Sequence, residues 1–210
     1  MKIGIDIDGV VAEYLQGFCD FYNHHYKDNL KLDDFRKFSI SHTLGVDNNE
    51  SMRLRDEFHN TCFFNNLCLV SGCRDVINKL REDHDIVFIS SREDSLMIKT
   101  RDFFQRFFPD NKFKIIFSGD IFDNKEKRKK HEICNEMGIK VLIEDDIDIC
   151  YKYLDNIKII LLKRPWNKEQ DKEHDNLIKA DDWGDVFDII NNLNKDRLDR
   201  ILRGKNETKQ

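Results

Sequence analysis

The chain has 210 residues, enough for one domain with a sizeable core, or a core plus a small insertion, but not for two independent domains. Hydrophobic residues make up 40% and charged residues 36%, the balance of a soluble globular protein; no apolar run approaches the ~20 residues that span a bilayer, and Asp6 interrupts the N-terminal run before it reads as a secretion signal. The net charge of −5, with both signs spread along the chain, leaves no electrostatic footprint for duplex nucleic acid, so a cytoplasmic protein without membrane or DNA partners is expected.

Taken in chain order, "KIGID" (2 to 6) is the first of five short apolar runs rich in Ile, Val or Phe. Such runs suit strands buried on both faces of a parallel sheet. About sixty residues then separate it from the helix that begins near Ser71, far more than one crossover needs. That stretch carries helical patterns at 13 to 26 and 48 to 60 and a short one at "LDDFRKF", and reads as a small helical cap spanning 13 to 69. Its aromatic residues, among them Phe18, Phe21, Phe35, Phe38, Phe58 and Phe64, are expected chiefly as cap core, and His24 and His25 as surface.

Beyond the cap, strand and helix alternate. "RDVINKLRED" precedes "IVFIS" (86 to 90), the helical 95 to 108 precedes "FKIIFS" (113 to 118), "KRKKHEICNEMG" precedes "KVLIE" (140 to 144), and "DICYKYLDN" precedes "IKIILL" (157 to 162). An amphipathic helix over "VFDIINNLNKDRLDRIL" closes the chain. The fold expected is α/β: a doubly wound, Rossmann-like parallel sheet of about five strands, its core formed by 1–12 and 70–203, with 204–210 as a flexible tail. The six cysteines show no CxxC pair and no matching His spacing, so they read as reduced structural thiols rather than a zinc site.

The chemistry gathers at strand ends. Asp6 closes the first strand, and Asp8 stands two residues on, so in an extended chain both carboxylates point the same way. Two close carboxylates repel unless a cation stands between them, and Mg²⁺ binds through one or two carboxylates plus waters and phosphate oxygens. Gly9 then lets the chain turn and a ligand approach. A second acidic cluster, Glu144, Asp145 and Asp146, ends another buried strand and favours a cation site, with capping of the following helix by Asp145 or Asp146 as the alternative. Ser90, Ser91 and Arg92 end a third, with hydroxyls and a guanidinium suited to phosphate oxygens, and Lys130 heads the helix leading into the acidic strand.

Together, "DIDGV" at 6 to 10, the Ser after an apolar strand, Lys130 and "IEDD" resemble the four motifs of the haloacid dehalogenase-like phosphohydrolase superfamily, over roughly residues 3 to 167. "DIDGVVAEY", "FISSRE", "KHEIC", "LIEDD" and "RPWN" look most like its 5'(3')-deoxyribonucleotidase branch. The resemblance implies Asp6 as nucleophile, forming an aspartyl-phosphate, and Asp8 as the acid and base that serves the leaving group and then water. It implies Mg²⁺ held by the Asp6 carboxylate, the Asp8 backbone carbonyl and Asp145, with Glu144 and Asp146 in support. Ser90 and Lys130 would hold the phosphoryl group; Ser91 could replace Ser90, Lys125 or Lys129 could replace Lys130, and Arg92 has no fixed role in that branch.

The expected activity is dephosphorylation of nucleoside monophosphates, a small-molecule phosphate ester. Alternatives are another ester such as a sugar phosphate, or a non-catalytic phosphate- or metal-responsive protein. Trp166 is expected to pack.

Overall fold

The computed structural model describes residues 1–110, 112–118, 129–151, 157–169 and 173–207, with side chains as far as Lys195. Six parallel strands form one sheet in the order β3-β2-β1-β4-β5-β6. They are β1 (Lys2–Ile5), β2 (Asp85–Ser90), β3 (Lys114–Phe117), β4 (Val141–Glu144), β5 (Lys158–Leu162) and β6 (Leu177–Ala180). β1 lies centrally, with Ile5 opposite Phe88 of β2 and Ile143 of β4. The sheet has one strand more than expected. β6 runs Leu-Ile-Lys-Ala at the edge, parallel to β5, and only Ala180 is buried, so it lacks the continuous apolar run that marks an inner strand.

Both faces of the sheet are covered. Ile3, Ile5, Phe88, Ile143 and Ile160 pack on one side with residues of α5 (Cys73–Asp83), α6 (Met97–Phe107) and α9 (Trp183–Glu207). Val87, Ile89, Leu142 and Ile159 pack on the other with α7 (Lys130–Met137) and α8 (Ile147–Cys150). The alternation along each strand is the period of two that a pleated strand imposes. α7 ends on Gly138 in the left-handed conformation, at φ +65°, as its sequence position foretells. The helical pattern at 148 to 156 is α8 as far as Cys150, and 152–156 lie outside the described residues. α9 continues as helix to Glu207, past the point where the tail was expected.

Between β1 and α5 the chain forms α1 (Tyr14–Tyr26), a 3-10 turn at Leu32–Asp34, α2 (Ile40–Leu44), α3 (Asn48–His59) and α4 (Cys62–Asn65). α2 and α4 were not anticipated, being too short to show a helical period. Phe18, Phe21, Phe35 and Phe58 are fully buried, and their cluster is continuous with the core under the sheet. His24 and His25 are exposed, as expected. All six cysteines are free thiols, four of them buried.

Candidate active site

Parallel strands bring their carboxyl ends to one edge of the sheet, where ligand sites form in such folds. The backbone N–H of Asp6 donates to Ile143 O at 3.0 Å, so the residue after β1 stays in register with β4. The chain then bends at Ile7, and Gly9 N–H donates to Ala12 O at 2.8 Å. Two anchors fix this loop from below: the Trp183 indole donates to Val10 O at 3.0 Å, and the Cys73 thiol donates to Val11 O at 3.8 Å. Asp6 and Asp8 thereby face one cavity of about 720 Å³.

Gly9 is required where it stands. Its φ is +84°, and a Cβ there would lie 1.9 Å from Asp145 Oδ2. Asp145 is in turn held from two sides: the Trp166 indole donates to its Oδ2 at 3.0 Å, and Asn167 Nδ2 donates to its backbone oxygen at 2.8 Å. Trp166 packs as expected, edge-on against Phe38, but its hydrogen bond adds a positioning role. Asn167 had no sequence signal beyond its place in "RPWN" just after β5.

Lys130, at the start of α7, is buried. Its Nζ donates to Asp6 Oδ1 at 2.5 Å and to Glu144 Oε2 at 2.6 Å. The other oxygen of Glu144 accepts from the backbone N–H groups of Asp145 and Asp146. Glu144 is thus fully engaged, whereas these bonds leave Asp6 Oδ2 and Asp145 Oδ1 over. Of the two residues that could cap α8, Asp146 does so, accepting from Asp148 N at 2.9 Å. Lys129 is exposed, and Lys125 lies outside the described residues.

Carboxyl oxygens of Asp6, Glu144 and Asp145 lie within 4.8 Å of one another, all buried. Among the described residues, these three buried carboxylates outnumber the one ammonium bonded to them, which leaves an excess of negative charge. Burial first, and Glu144 second, push Asp6 up to about 8 despite the opposing pull of Lys130. Burial, then Glu144 and Asp6, push Asp145 well above the usual carboxylate range. A divalent cation on the two left-over oxygens removes that imbalance, so the donor set fits a hard, oxygen-seeking ion.

At the end of β2, Ser90 turns its Oγ to accept from Arg92 N at 3.1 Å, away from the cavity. Ser91 lines the cavity, and its buried Oγ has no hydrogen-bond partner. Arg92 reaches Asp8: Nη2 donates to Oδ1 at 2.6 Å and Nε to Oδ2 at 2.9 Å. On the far wall, Tyr14 and His59 line the cavity and share a hydrogen bond of 2.8 Å. Burial, then the charges of Arg55, Arg92 and Lys99, lower His59 to about 3. Neither Tyr14 nor His59 stood out in the sequence, because each sits in a helical pattern that reads as core.

An acidic pocket holding the buried Lys130, at the carboxyl edge of a parallel sheet with helices inserted after its first strand, is the arrangement that the resemblance to haloacid dehalogenase-like phosphohydrolases implies. The solved structures agree on the fold. The haloacid dehalogenase-like hydrolase SP0104 of Streptococcus pneumoniae is 11% identical, with a TM-score of 0.63 over 90% of this chain and 97% of that one. The HAD-hydrolase YfnB of Bacillus subtilis, solved bound to magnesium, is 15% identical, with a TM-score of 0.55 over 90% of this chain and 98% of that one. The family model for "5' nucleotidase, deoxy (Pyrimidine), cytosolic type C protein" matches residues 1–196, and the chain belongs to that family. It is a phosphoric monoester hydrolase. A relative from Halalkalibacterium halodurans, "Putative nucleotidase BH1399", is 22% identical over 80% of this chain and 82% of its own length. No helix among the described residues is long and apolar enough to cross a membrane.

Proposed function

We propose that the protein is a Mg²⁺-dependent phosphatase of nucleoside monophosphates acting through an aspartyl-phosphate on Asp6. The observation that carries the reading is the meeting of Asp6, Asp8, Asp145 and Lys130 on one cavity of about 720 Å³, roomy enough for a nucleotide. Asp6 and Asp145, with the backbone carbonyl of Asp8, would hold the ion, as the charge balance above favours. A bound magnesium supplies positive charge beside the phosphoryl oxygens.

Asp6 attacks phosphorus as its proton-free carboxylate, so one difficult hydrolysis becomes two easier steps. Asp8 gives a proton to the departing ester oxygen and then takes one from the water that cleaves the aspartyl-phosphate. Lys130 holds the Asp6 carboxylate in place and offsets phosphoryl charge, while the unpartnered hydroxyl of Ser91 is aimed to donate to a phosphoryl oxygen. Ser90 supports that turn through its bond to Arg92 N. Residues 13–69 act as a cap that selects the ester, over a core of 1–12 and 70–203. The six free thiols agree with a reducing, cytoplasmic setting.

Phosphate release from a panel of nucleotides and sugar phosphates, with and without Mg²⁺, tests the reading. Wild type should act on nucleotides only with the ion, and Asp6→Asn and Asp8→Asn should be inactive. Equal release by wild type and Asp6→Asn would refute the mechanism; activity confined to sugar phosphates would refute the substrate.

A further inference from the structure

Asp8 is gripped by a side chain that the proposed chemistry does not use. Arg92 presents Nε and Nη2 to the two oxygens of Asp8 in the forked arrangement that fixes both the place and the plane of a carboxylate. The fork is itself braced on three sides. Its Nη1 donates to Thr100 Oγ1 at 2.9 Å, and Thr100 donates on to Leu96 O at 2.8 Å. Its guanidinium lies 5.0 Å above the centre of the Phe64 ring. Its backbone N–H is tied to Ser90. Arg92 is buried, with a side chain only 3% exposed, so this brace is part of the folded interior rather than a surface pair.

We infer that Arg92 is a positioning residue that aims the Asp8 carboxyl group at the ester oxygen, and that Thr100 holds Arg92 in place to do so. This rests on the reading of Asp8 as acid and base, and adds a second layer to it. Each carboxyl oxygen has two lone pairs, so one that accepts from Arg92 keeps another for the transferred proton. In the step concerned, the P–O bond to the leaving group breaks as the Asp6–P bond forms. The ester oxygen keeps the bonding pair and takes the Asp8 proton. A misaimed Asp8 slows this step only where the leaving group needs that proton. An alkoxide leaving from a nucleotide needs it, and p-nitrophenolate does not.

The test compares kcat/KM, which reports phosphoenzyme formation, for thymidine 5'-monophosphate and p-nitrophenyl phosphate. Arg92→Gln should lower the first by roughly 100-fold, the lower end of what a positioned acid contributes, and the second by less than about threefold. Arg92→Lys, which keeps the charge but loses the fork, should show the same split. Thr100→Val, which loosens the brace without touching Asp8, should show it at roughly three- to tenfold and keeps the inference testable if the Arg92 variants fail to fold. Equal losses on both esters with a raised KM would make Arg92 a phosphate ligand and overturn the inference, as would full activity in Arg92→Lys or no loss in any variant. A wild type inactive on both esters would instead sink the phosphatase reading itself, and this inference with it.

Discussion

Lys130 Nζ stands 2.5 Å from Asp6 Oδ1, joining residues 124 positions apart inside the fold. It also reaches Glu144, so one buried ammonium serves two carboxylates. Removing one partner of such a group leaves charge uncompensated in a medium that solvates it poorly. Lys130→Met should therefore destabilise the metal-free protein by about 3–5 kcal/mol in denaturant unfolding. A loss below about 1 kcal/mol would show that the ammonium does not compensate this cluster.

The same cluster sets a pH dependence. Asp6 in the fold is raised to about 8 by burial and by Glu144, against a value of 3.8 for the unperturbed group. The folded state therefore binds the proton more tightly than the unfolded state. Its contribution to stability is full below the unfolded value and is lost as pH rises through about 8. Asp145 is shifted in the same direction. With chelator present, stability should fall between pH 6 and 8 by up to about 1.4 kcal/mol per pH unit for each proton released. Added Mg²⁺ should flatten that slope, because the ion stabilises the carboxylates in their charged form. A slope unchanged by Mg²⁺ would argue against a cation among these oxygens.

Gly9 and Gly45 make a matched pair. Both have positive φ, +84° and +66°, but a Cβ at Gly45 meets nothing within 4 Å, whereas one at Gly9 meets Asp145 at 1.9 Å. Gly45→Ala should cost only the left-handed backbone penalty of about 1–2 kcal/mol and leave phosphate release intact. Gly9→Ala should cost more and abolish release, because Asp145 and the Trp166 bonded to it must move. Equal effects of the two on activity would mean that the fit between Gly9 and Asp145 is not needed.

What the sequence disclosed follows from where each signal is local. The four inner strands announce themselves because burial on both faces demands uninterrupted apolar residues, and β3, at one edge, still carries the run Ile-Ile-Phe. At the other edge β6 does not, since only Ala180 is buried and Lys179 interrupts its apolar residues. Asp6, Asp8, Asp145 and Lys130 were legible because each sits at a strand end or a helix start, and parallel topology forces those ends together. Which hydroxyl faces the cavity was not legible, because a one-residue step along β2 reverses the side chain, and the structure turns Ser90 inward and Ser91 toward the cavity. The Arg92–Asp8 fork, the Trp166–Asp145 bond and the Tyr14–His59 pair join distant segments, so no spacing rule reveals them.

Of the aromatic residues inserted after β1, Phe38 and Tyr14 line the cavity, while Phe18, Phe21, Phe35 and Phe58 are sealed in the core. Phe38 is half-buried, its ring propped edge-on against Trp166 at 5.4 Å and tilted toward Tyr14 at 6.1 Å. It also lines the cavity. If the cavity holds a nucleobase, stacking on Phe38 contributes about 1–3 kcal/mol. Phe38→Ala should then raise KM for nucleotides by roughly tenfold, with kcat nearly unchanged, since uniform binding is removed rather than transition-state contact. Steady-state kinetics on p-nitrophenyl phosphate, which has no base to stack, should be altered far less. An equal KM change on both esters would show that Phe38 holds the cavity in shape and does not read the base.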